Sequence, residues 1–348
     1  MMNPGFGWLR RVLFVAVGLV LLHAAGVAGR GDKTGTAAAS QLLIPVGAQS
    51  IALAGSSLST VGGIDAVYWN VAGLARESLN TRVMFSHMSY IADIGVDYVA
   101  LTRLVSRSLA LGLTVKSVSV GQIPVTTEDF PDGTGATTSP VFLTIGGSIA
   151  RLLSEKISVG GTVHYIYEKM GSVTTSGFAF NGGVQYVGLG GIDGLSVGTV
   201  IRNIGPKMQY DGSGLDHAAT VNDALLTSST VRIQAAPADL PSTIEVGLGY
   251  AAPFYGAGQI SCTAAFVNNN YSDDEYRVGL DYTYDSRFSA RLGYDFSSQE
   301  EGGESIYGFT GGLGVTSKMS NVDLTVNYAY RAAKYFSGNH IFELIIGF

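Results

Sequence analysis

Histidine and serine lie close together at residues 86–89, and this spacing raises the question of a hydrolytic site. His87 has Ser86 beside it and Ser89 two residues further on. A triad needs a nucleophile, a base and an orienting carboxylate within hydrogen-bond reach. Neighbours in a strand point to opposite faces, so Ser86 cannot pair with His87, whereas Ser89 shares its face. No nucleophile motif surrounds Ser89, and the sequence predicts a protein that is not an enzyme and has no catalytic residues.

Three other groups of residues lack the spacing that ligand binding requires. The glycine cluster at 188–194 lies between two predicted strands, and no helix follows it as in a dinucleotide loop. The acidic run 273–275 lacks the spaced ligands of a calcium loop. Cys262 is the one cysteine, which excludes an intramolecular disulfide and a multi-cysteine metal site. The sequence therefore predicts a tight turn at 188–194 and a solvated loop at 273–275, and it predicts no bound metal or cofactor.

From Asn80 onward, apolar and polar residues alternate along one predicted strand after another. In 288–296, aromatic and aliphatic residues alternate with Ser289, Arg291, Gly293 and Asp295. A soluble β-sandwich also alternates, but aromatic residues at the strand ends favour a membrane girdle. An arginine facing lipid at mid-strand costs about 2–4 kcal/mol, and little when it faces a wet lumen. The polar faces are therefore predicted to line the lumen.

The composition indicates the same class of protein. Only 14% of residues are charged, against about 25% in an ordinary soluble domain. The mean hydropathy is +0.27, yet the one long apolar run lies at the N-terminus. Low charge spread over alternating strands predicts an all-β transmembrane antiparallel β-barrel in the bacterial outer membrane. The net charge is −6 and no basic patch is present, so no nucleic-acid partner is predicted.

About 14 alternating segments, among them 138–151 and 304–315, follow one another between residues 81 and 348, and their connections differ in length. The two long connections, 121–137 and 205–240, are the third and the seventh, and the even-numbered connections are short. Outer-membrane barrels have an even number of strands, short periplasmic turns and long external loops. This parity predicts a barrel of about 14 strands with both ends of the chain on the periplasmic side.

The last predicted strand has an apolar face that ends at the final residue. Phe348 is that residue, and we expect this strand to close the barrel against the first and to direct assembly. Closure leaves no backbone group unpaired in lipid. The predicted closing face comprises Phe342, Leu344, Ile346 and Phe348.

Residues 1–28 have the features of a secretory signal peptide. Arg10 and Arg11 form its basic region, 12–22 its apolar region, and 24–28 supplies small residues for cleavage between Gly26 and Ala28. The apolar region is too short for a spanning helix, which needs about 20 residues.

The segment 41–76 is apolar and rich in small residues, but it has neither strand alternation nor a long helical stripe. Asp65 is predicted to cap a short helix through Tyr68 and Trp69. We predict an N-terminal segment, 29–79, that plugs the lumen of a barrel formed by 80–348; an ordinary strand with a loop is the alternative. The predicted plug residues are Leu42, Leu43, Ile44, Pro45, Tyr68, Trp69, Asn70 and Gly73.

Four stretches resemble the PorV/PorQ family of outer-membrane proteins. They are LLIPVGAQSIALAG with DAVYWNVAGLA in 36–76, VGTVIRNIGPKMQY at 197–210, DLPSTIEVGLGY at 239–250, and GNHIFELIIGF at 338–348. That family is related in fold to long-chain fatty-acid transporters, fourteen-stranded barrels with an N-terminal plug. The family's Asn-Pro-Ala-Gly-Leu is here Asn70-Val71-Ala72-Gly73-Leu74. Val71 removes a rigid turn element, so no family-specific gate is carried over to this position.

The resemblance implies two functions of different classes. The first is a non-enzymatic role in type IX secretion, binding secreted substrates or translocon components. The alternative is a channel for long-chain fatty acids or other hydrophobic small molecules, and fold alone does not choose between them. The connection 205–240 is predicted to bind a partner protein or to shield a ligand entrance, through Met208, Tyr210, Leu215, Leu225 and Leu226.

Overall fold

A computed structural model of the chain describes residues 35–76, 79–219, 229–297, 306–319 and 322–348. The predicted signal peptide, 1–28, lies outside these residues, as do Leu225 and Leu226 of the predicted partner loop.

In these ranges, fourteen long strands form one antiparallel barrel. Each strand pairs with the next along the chain, and the sheet closes where the last strand pairs with the first. No long strand is left with an unpaired edge in the described barrel, as a lipid environment requires. The strands are β1 Thr81–Ser89, β2 Gly95–Ser106, β3 Leu109–Ser119, β4 Val141–Leu152, β5 Ile157–Met170, β6 Val173–Val187, β7 Leu195–Ile204, β8 Thr243–Phe254, β9 Gly258–Asn269, β10 Glu275–Tyr284, β11 Phe288–Ser297, β12 Tyr307–Met319, β13 Val322–Ala333 and β14 Asn339–Gly347.

The two faces of the barrel wall differ as the alternation predicted. On β14, Phe342 faces outward and is 57% exposed, whereas Ile341 and Glu343 are buried inside. Arg291 is 6% exposed and lies inside the barrel with Asp281. Large apolar side chains cover the outer wall. Exposed aromatic residues lie at strand ends, as Phe254 and Tyr284 do, and also at mid-strand, as Phe180 does. An apolar outer wall around a polar interior belongs in a membrane, and the protein is an outer-membrane β-barrel.

Several strand boundaries differ from the sequence prediction by a few residues, and for two of them the reason is identifiable. The strand predicted at 304–315 is β12, and it extends to Met319 because its pairing with β13 continues to the Met319–Val322 pair. The strand predicted at 138–151 is β4, which begins at Val141. Thr137–Thr138 instead pairs with Ile123–Pro124 in a short hairpin beyond the barrel wall.

The short and the long connections lie at opposite ends of the barrel, as the odd and even order of the connections predicted. The end that carries both termini of the barrel chain has short turns, such as the one between β2 and β3. The opposite end carries the long connections β3–β4 and β7–β8, and is the external end by the rule for these barrels. The β7–β8 connection contains Asp211–Gly212, which pairs with β6, and a hairpin of Asp216–Ala219 with Ser229–Arg232.

The N-terminal segment is a chain of short helical turns. They are the 3-10 turns Ser40–Leu43, Ser57–Ser59, Gly63–Asp65 and Val71–Arg76, and the helices α1 Ala48–Ile51 and α2 Ala66–Trp69. The helix predicted through Tyr68 and Trp69 is therefore present, but the Asp65 carboxylate makes no cap hydrogen bond to it.

No helix among the described residues is long and apolar enough to cross a membrane.

Candidate ligand cavity in the barrel lumen

The N-terminal segment 35–76 lies inside the barrel and contacts strands around its whole circumference. Helix α1 packs against β12, β13 and β14, and the turn Ser57–Ser59 against β7, β8 and β9. The turn Val71–Arg76 packs against β3 to β6. The buried apolar residues of the segment thus form one core with inward-facing residues of the wall.

Inward-facing glycines let the segment approach the wall backbone. A Cβ on Gly198 would lie 2.4 Å from the carbonyl oxygen of Leu58, and one on Gly160 would lie 2.9 Å from that of Val71. Real side chains do not tolerate contacts this short, so these positions require the absence of a Cβ. The inner wall and the segment are complementary in shape.

Polar side chains of the wall bind backbone groups that the short turns leave unpaired. The Gln185 side chain donates hydrogen bonds to the carbonyl oxygens of Leu58 and Val61, at 3.0 and 2.8 Å. The Glu343 carboxylate accepts one from the amide of Ala48 at 2.8 Å. These bonds matter because a buried backbone group without a partner is costly.

Arg202 on β7 holds the aromatic pair at the end of α2. Its guanidinium is buried, forms an ion pair with Glu245 at 2.5 Å, and donates to the carbonyl oxygens of Tyr68 and Trp69. It also lies over the Tyr68 ring, 5.2 Å from the centroid. One buried cation therefore joins the wall to the aromatic residues of the segment.

The structure brings the eight predicted plug residues together in two groups. Leu43, Ile44 and Pro45 line a cavity, and Leu43 is 45% exposed there. The Tyr68 hydroxyl donates to the carbonyl oxygen of Ile44 at 3.0 Å. The Trp69 indole donates to the carbonyl oxygen of Val46 at 3.0 Å.

The remaining predicted plug residues, Leu42, Asn70 and Gly73, are buried. Leu42 lies in a second apolar cluster with Met208, described below. The Asn70 side chain donates to the carbonyl oxygen of Leu58 at 2.8 Å. A Cβ on Gly73 would lie 2.1 Å from the carbonyl oxygen of Val61, so only glycine fits. That these residues act together as a plug stays a prediction.

A cavity of about 430 Å³ lies between the N-terminal segment and the external ends of β7 to β13. Its volume is within the range of pockets that hold small organic ligands. Its apolar part comprises 42–45, Ile51, Ala54, the Tyr68 and Trp69 rings, and Val267.

Polar side chains form most of the remaining cavity wall, and the charged ones among them are paired. The Arg277 guanidinium binds Glu275, and its Nε is 3.9 Å from Asp295. Arg331 lies 3.5 Å from the same Asp295 carboxylate. Because each of these positive charges has a negative partner, the polar side of the cavity carries no unpaired charge. The cavity therefore has an apolar floor beside a polar wall of paired charges.

Two tyrosines close the external rim of the cavity. The Tyr307 hydroxyl donates to that of Tyr90 at 2.6 Å, and the Arg331 guanidinium lies 3.5 Å from the centre of the Tyr307 ring. Burial raises the pKa of Tyr90 above its ordinary value. The Tyr90 hydroxyl therefore keeps its proton, and its hydrogen bond with Tyr307 joins β12 to the residue that follows β1.

A smaller cavity of about 30 Å³ adjoins the first and shares the Tyr68 and Arg202 side chains with it. Lys116, Thr144 and His164 also line it. The Lys116 ammonium donates to the carbonyl oxygens of Gln41 at 2.7 Å and Ile44 at 2.5 Å. This cavity is too small for an organic ligand, and its polar lining suits water.

Within the predicted partner loop, Met208 points into the barrel, which corrects the expectation that this residue is available to a partner. Met208 is 2% exposed and packs with Leu42, Ile166 and Leu240. It fits there because Gly177 has no side chain: a Cβ at that position would lie 2.7 Å from Met208 Cγ.

The neighbours of Met208 in this connection are also tied to the barrel. The Tyr210 hydroxyl donates to the Glu168 carboxylate, and burial raises the pKa of Tyr210. Leu215 is half-buried, and the amide of Ala38 donates to the carbonyl oxygen of Asp239 at 2.9 Å. This part of the connection is thus held against the barrel; that it shields a ligand entrance stays a prediction.

Sequence reasoning did not identify the arginines of the cavity. Arg202, Arg277 and Arg331 each lie at an inward position of a strand near its external end. The available signal was an arginine on the polar face of an alternating strand, two residues from the external end of that strand. Nothing in the spacing shows that three such strands converge on one cavity. In the described part of the chain, no cluster of metal-binding side chains occurs.

The chain has the fold of several solved bacterial outer-membrane channels. It is similar to the CymD monoaromatic hydrocarbon channel, with 13% identity and a TM-score of 0.53, over 88% of this chain and 98% of that one. It is similar to the toluene transporter TodX of Pseudomonas putida, with 9% identity and a TM-score of 0.51, over 85% and 96%. It is also similar to a FadL homologue of Pseudomonas aeruginosa, with 12% identity and a TM-score of 0.50, over 87% and 98%.

At these identities the likeness shows the fold alone. No protein-family model matches the chain, and no curated protein matches it.

Proposed function

We propose that the protein is a channel that carries hydrophobic small molecules across the outer membrane. The observation that carries the proposal is the cavity of about 430 Å³ at the external end of a closed barrel, with an apolar floor formed by the N-terminal segment. Pockets of this kind, mostly apolar with a few fixed polar groups, are the usual form of small-molecule sites.

The solved structures of the same fold support this proposal by analogy. CymD is described as a monoaromatic hydrocarbon channel, and TodX as a toluene transporter. The cavity here offers aromatic edges from Tyr68 and Trp69, whose rings meet at 77° with their centroids 5.2 Å apart. Aromatic surfaces favour flat or chain-like apolar ligands. The substrate class is therefore apolar molecules of low molecular mass, including long-chain fatty acids.

The proposal is tested by uptake in a bacterial host that lacks its own hydrophobic channels. Cells that express the protein should accumulate radiolabelled toluene or oleate faster than cells with an empty vector. A hydrophilic solute of similar mass should enter at the same rate in both strains, because the N-terminal segment fills the lumen. Equal uptake of the hydrophobic solutes by both strains would contradict the proposal.

A second candidate is the type IX secretion role, supported by the sequence resemblance to the PorV/PorQ family at 36–76, 197–210, 239–250 and 338–348. In that role the barrel binds secreted substrates or translocon components and performs no catalysis. The solved structures of the same fold add nothing to it. The inward position of Met208 also removes one residue from the surface that this role would use.

Deletion in the native host separates the two candidates. Under the channel proposal, hydrophobic uptake falls while the set of secreted proteins stays normal. Under the secretion proposal, proteins that carry secretion C-terminal domains are retained while uptake stays normal. Replacing residues 209–237 with a short Gly/Ser turn tests the loop itself, because it leaves Met208 and Ala238 in place; a secretion defect would then support the second candidate.

A further inference from the structure

The external end of the outer wall carries four polar side chains on adjacent strands. His87 and Ser89 of β1, Asp97 of β2 and His340 of β14 all face outward and are exposed. They lie on the opposite side of the wall from the lumenal cavity, so channel function does not account for them. At this end the wall reaches the membrane interface, where polar side chains cost little, so the cluster is compatible with a membrane-spanning barrel.

The structure supplies the carboxylate that the sequence left unassigned to His87. Asp97 is the residue directly opposite His87 across β1 and β2, and its Oδ1 lies 2.7 Å from His87 Nδ1. A carboxylate at Nδ1 orients the imidazole and leaves Nε2 to accept a proton. His87 and Asp97 are therefore arranged as a base and its orienting group.

Ser89 lies on the side of His87 where a nucleophile is required. The two residues share a face and are about 6.7 Å apart along the strand. The His87 ring reaches the level of Ser89 on the neighbouring strand: its Cε1 is 3.9 Å from where a Cβ on Gly95 would lie, and Gly95 is directly opposite Ser89. The missing side chain at Gly95 leaves this space open.

His340 flanks Ser89 from the other strand. It is directly opposite Ser89 across β14 and β1, where Cβ atoms are about 4.5–5.5 Å apart. Its Nδ1 lies 2.8 Å from the Tyr328 hydroxyl. With Tyr328 donating to Nδ1, the proton of His340 is at Nε2, where it can donate to an oxyanion formed at Ser89.

An apolar groove runs down the outer wall from these residues. It has a volume of about 360 Å³, and His87 and Asp97 line it together with Phe85, Val99, Phe342 and Leu344. In a barrel that spans the membrane, this groove faces lipid acyl chains. The lining of the groove ends at His87 and Asp97, and Ser89 lies two residues beyond His87 toward the external end of β1. A lipid with its acyl chain in the groove and its headgroup at the external interface would therefore carry its ester group past His87 toward Ser89.

We propose that Ser89, His87 and Asp97 form a hydrolytic site for ester-linked acyl lipids on the outer wall of the barrel. Ser89 Oγ attacks the ester carbonyl carbon and passes its proton to His87 Nε2, while His340 donates to the oxyanion. The bond to the alcohol oxygen breaks, and His87 returns the proton to that oxygen. Water then attacks the acyl-serine through His87, which releases the fatty acid and restores the Ser89 hydroxyl.

The test is covalent labelling of the purified, folded protein in detergent micelles by a fluorophosphonate probe, with hydrolysis of a fluorogenic phospholipid in parallel. Wild-type protein should be labelled once per chain, and Ser89→Ala should lose both labelling and turnover. His87→Ala should slow both by about 10²–10⁴-fold, the usual contribution of a general base. Ser119→Ala is the matched control and should behave as wild type, since Ser119 is exposed on the outer wall opposite Gly95 and at the same height.

Folding of each variant is confirmed by heat-modifiable mobility on gels, and hydrophobic uptake should be unchanged in Ser89→Ala. An unlabelled folded wild-type protein, or equal labelling of wild type and Ser89→Ala, would overturn the proposal. Neither result bears on the channel proposal, because the lumenal cavity does not include these residues.

Discussion

The inner-wall glycines determine how closely the N-terminal segment fits the barrel. Gly198 and Gly182 lie on adjacent strands and make a matched pair, because Gly198 faces the segment and Gly182 faces outward. A Cβ at Gly198 would meet the Leu58 carbonyl oxygen at 2.4 Å, whereas a Cβ at Gly182 has no atom within 4 Å.

We therefore expect Gly198→Ala to displace the turn Ser57–Ser59. Overpacking of this kind costs about 1–3 kcal/mol, and the Val61 amide, which bonds the Ser57 carbonyl oxygen at 2.7 Å, should exchange its hydrogen about 5- to 150-fold faster. Gly182→Ala should leave that exchange unchanged. Equal exchange rates in the two variants would mean that the close approach does not hold the segment.

Arg202 is the buried charge on which the aromatic end of the segment depends. In Arg202→Met, Glu245 stays buried without its partner, and breaking a buried pair costs about 3–5 kcal/mol. The midpoint of urea unfolding in detergent should fall accordingly. The control is Arg232→Met, whose ion pairs with Asp211 and Asp216 are exposed and should contribute nothing measurable.

The origin of that loss can be checked by a second substitution. Because much of the cost comes from the unpaired Glu245 carboxylate, Arg202→Met with Glu245→Gln should recover part of the stability that Arg202→Met loses. A double variant that is less stable than Arg202→Met would show that the pair is not the source.

At the scale of elements, the N-terminal segment is proposed to plug the lumen, and its removal tests this. An open barrel of this size would admit water. Deleting 41–76 should raise the single-channel conductance in planar bilayers, provided that the barrel still shows heat-modifiable mobility. An unchanged conductance in a folded deletion variant would rule out a plugging role.

The terminal strand is the second element with a testable role. The amide of Phe348 donates to the carbonyl oxygen of Thr81 at 2.9 Å, and the amide of Thr81 donates to that of Phe348 at 3.1 Å. Deleting Phe348 removes this last pair at the β1–β14 closure and should reduce the yield of assembled barrel in the outer membrane. Phe342→Ala removes an aromatic side chain from the same face without shortening the strand, and should assemble normally; equal yields of the two variants would argue against a closing role.

At the scale of the whole molecule, the barrel was predictable because its signal is repeated. Alternation in about 14 segments, the parity of the loops and an inward Arg291 each point to one architecture, and errors of a few residues at Met319 or Val141 do not affect it. The N-terminal segment was predicted from its lack of pattern. Its contacts were not, because they depend on which inward glycine meets which turn.

Neither the cavity nor the outer-wall cluster could be predicted from the sequence, because both are formed by residues from different strands. Arg202, Arg277 and Arg331 are far apart in the chain and converge only when the strands close. Asp97 comes opposite His87 through the register of β1 and β2, and a shift of one residue would turn it to the lumen. The spacing of residues within one strand shows which of them share a face. Which residues of two strands lie opposite each other depends on the register of the pairing.

The central claim, that the lumenal cavity admits hydrophobic molecules, is tested most directly by filling it. Val267 lines the cavity and is 1% exposed, whereas Val278 on the adjacent strand faces outward and is 42% exposed. We predict that Val267→Phe lowers the uptake of labelled toluene or oleate toward that of cells without the protein, and that Val278→Phe, present as folded barrel at the same level, transports like wild type. Wild-type uptake by a folded Val267→Phe barrel would contradict the claim.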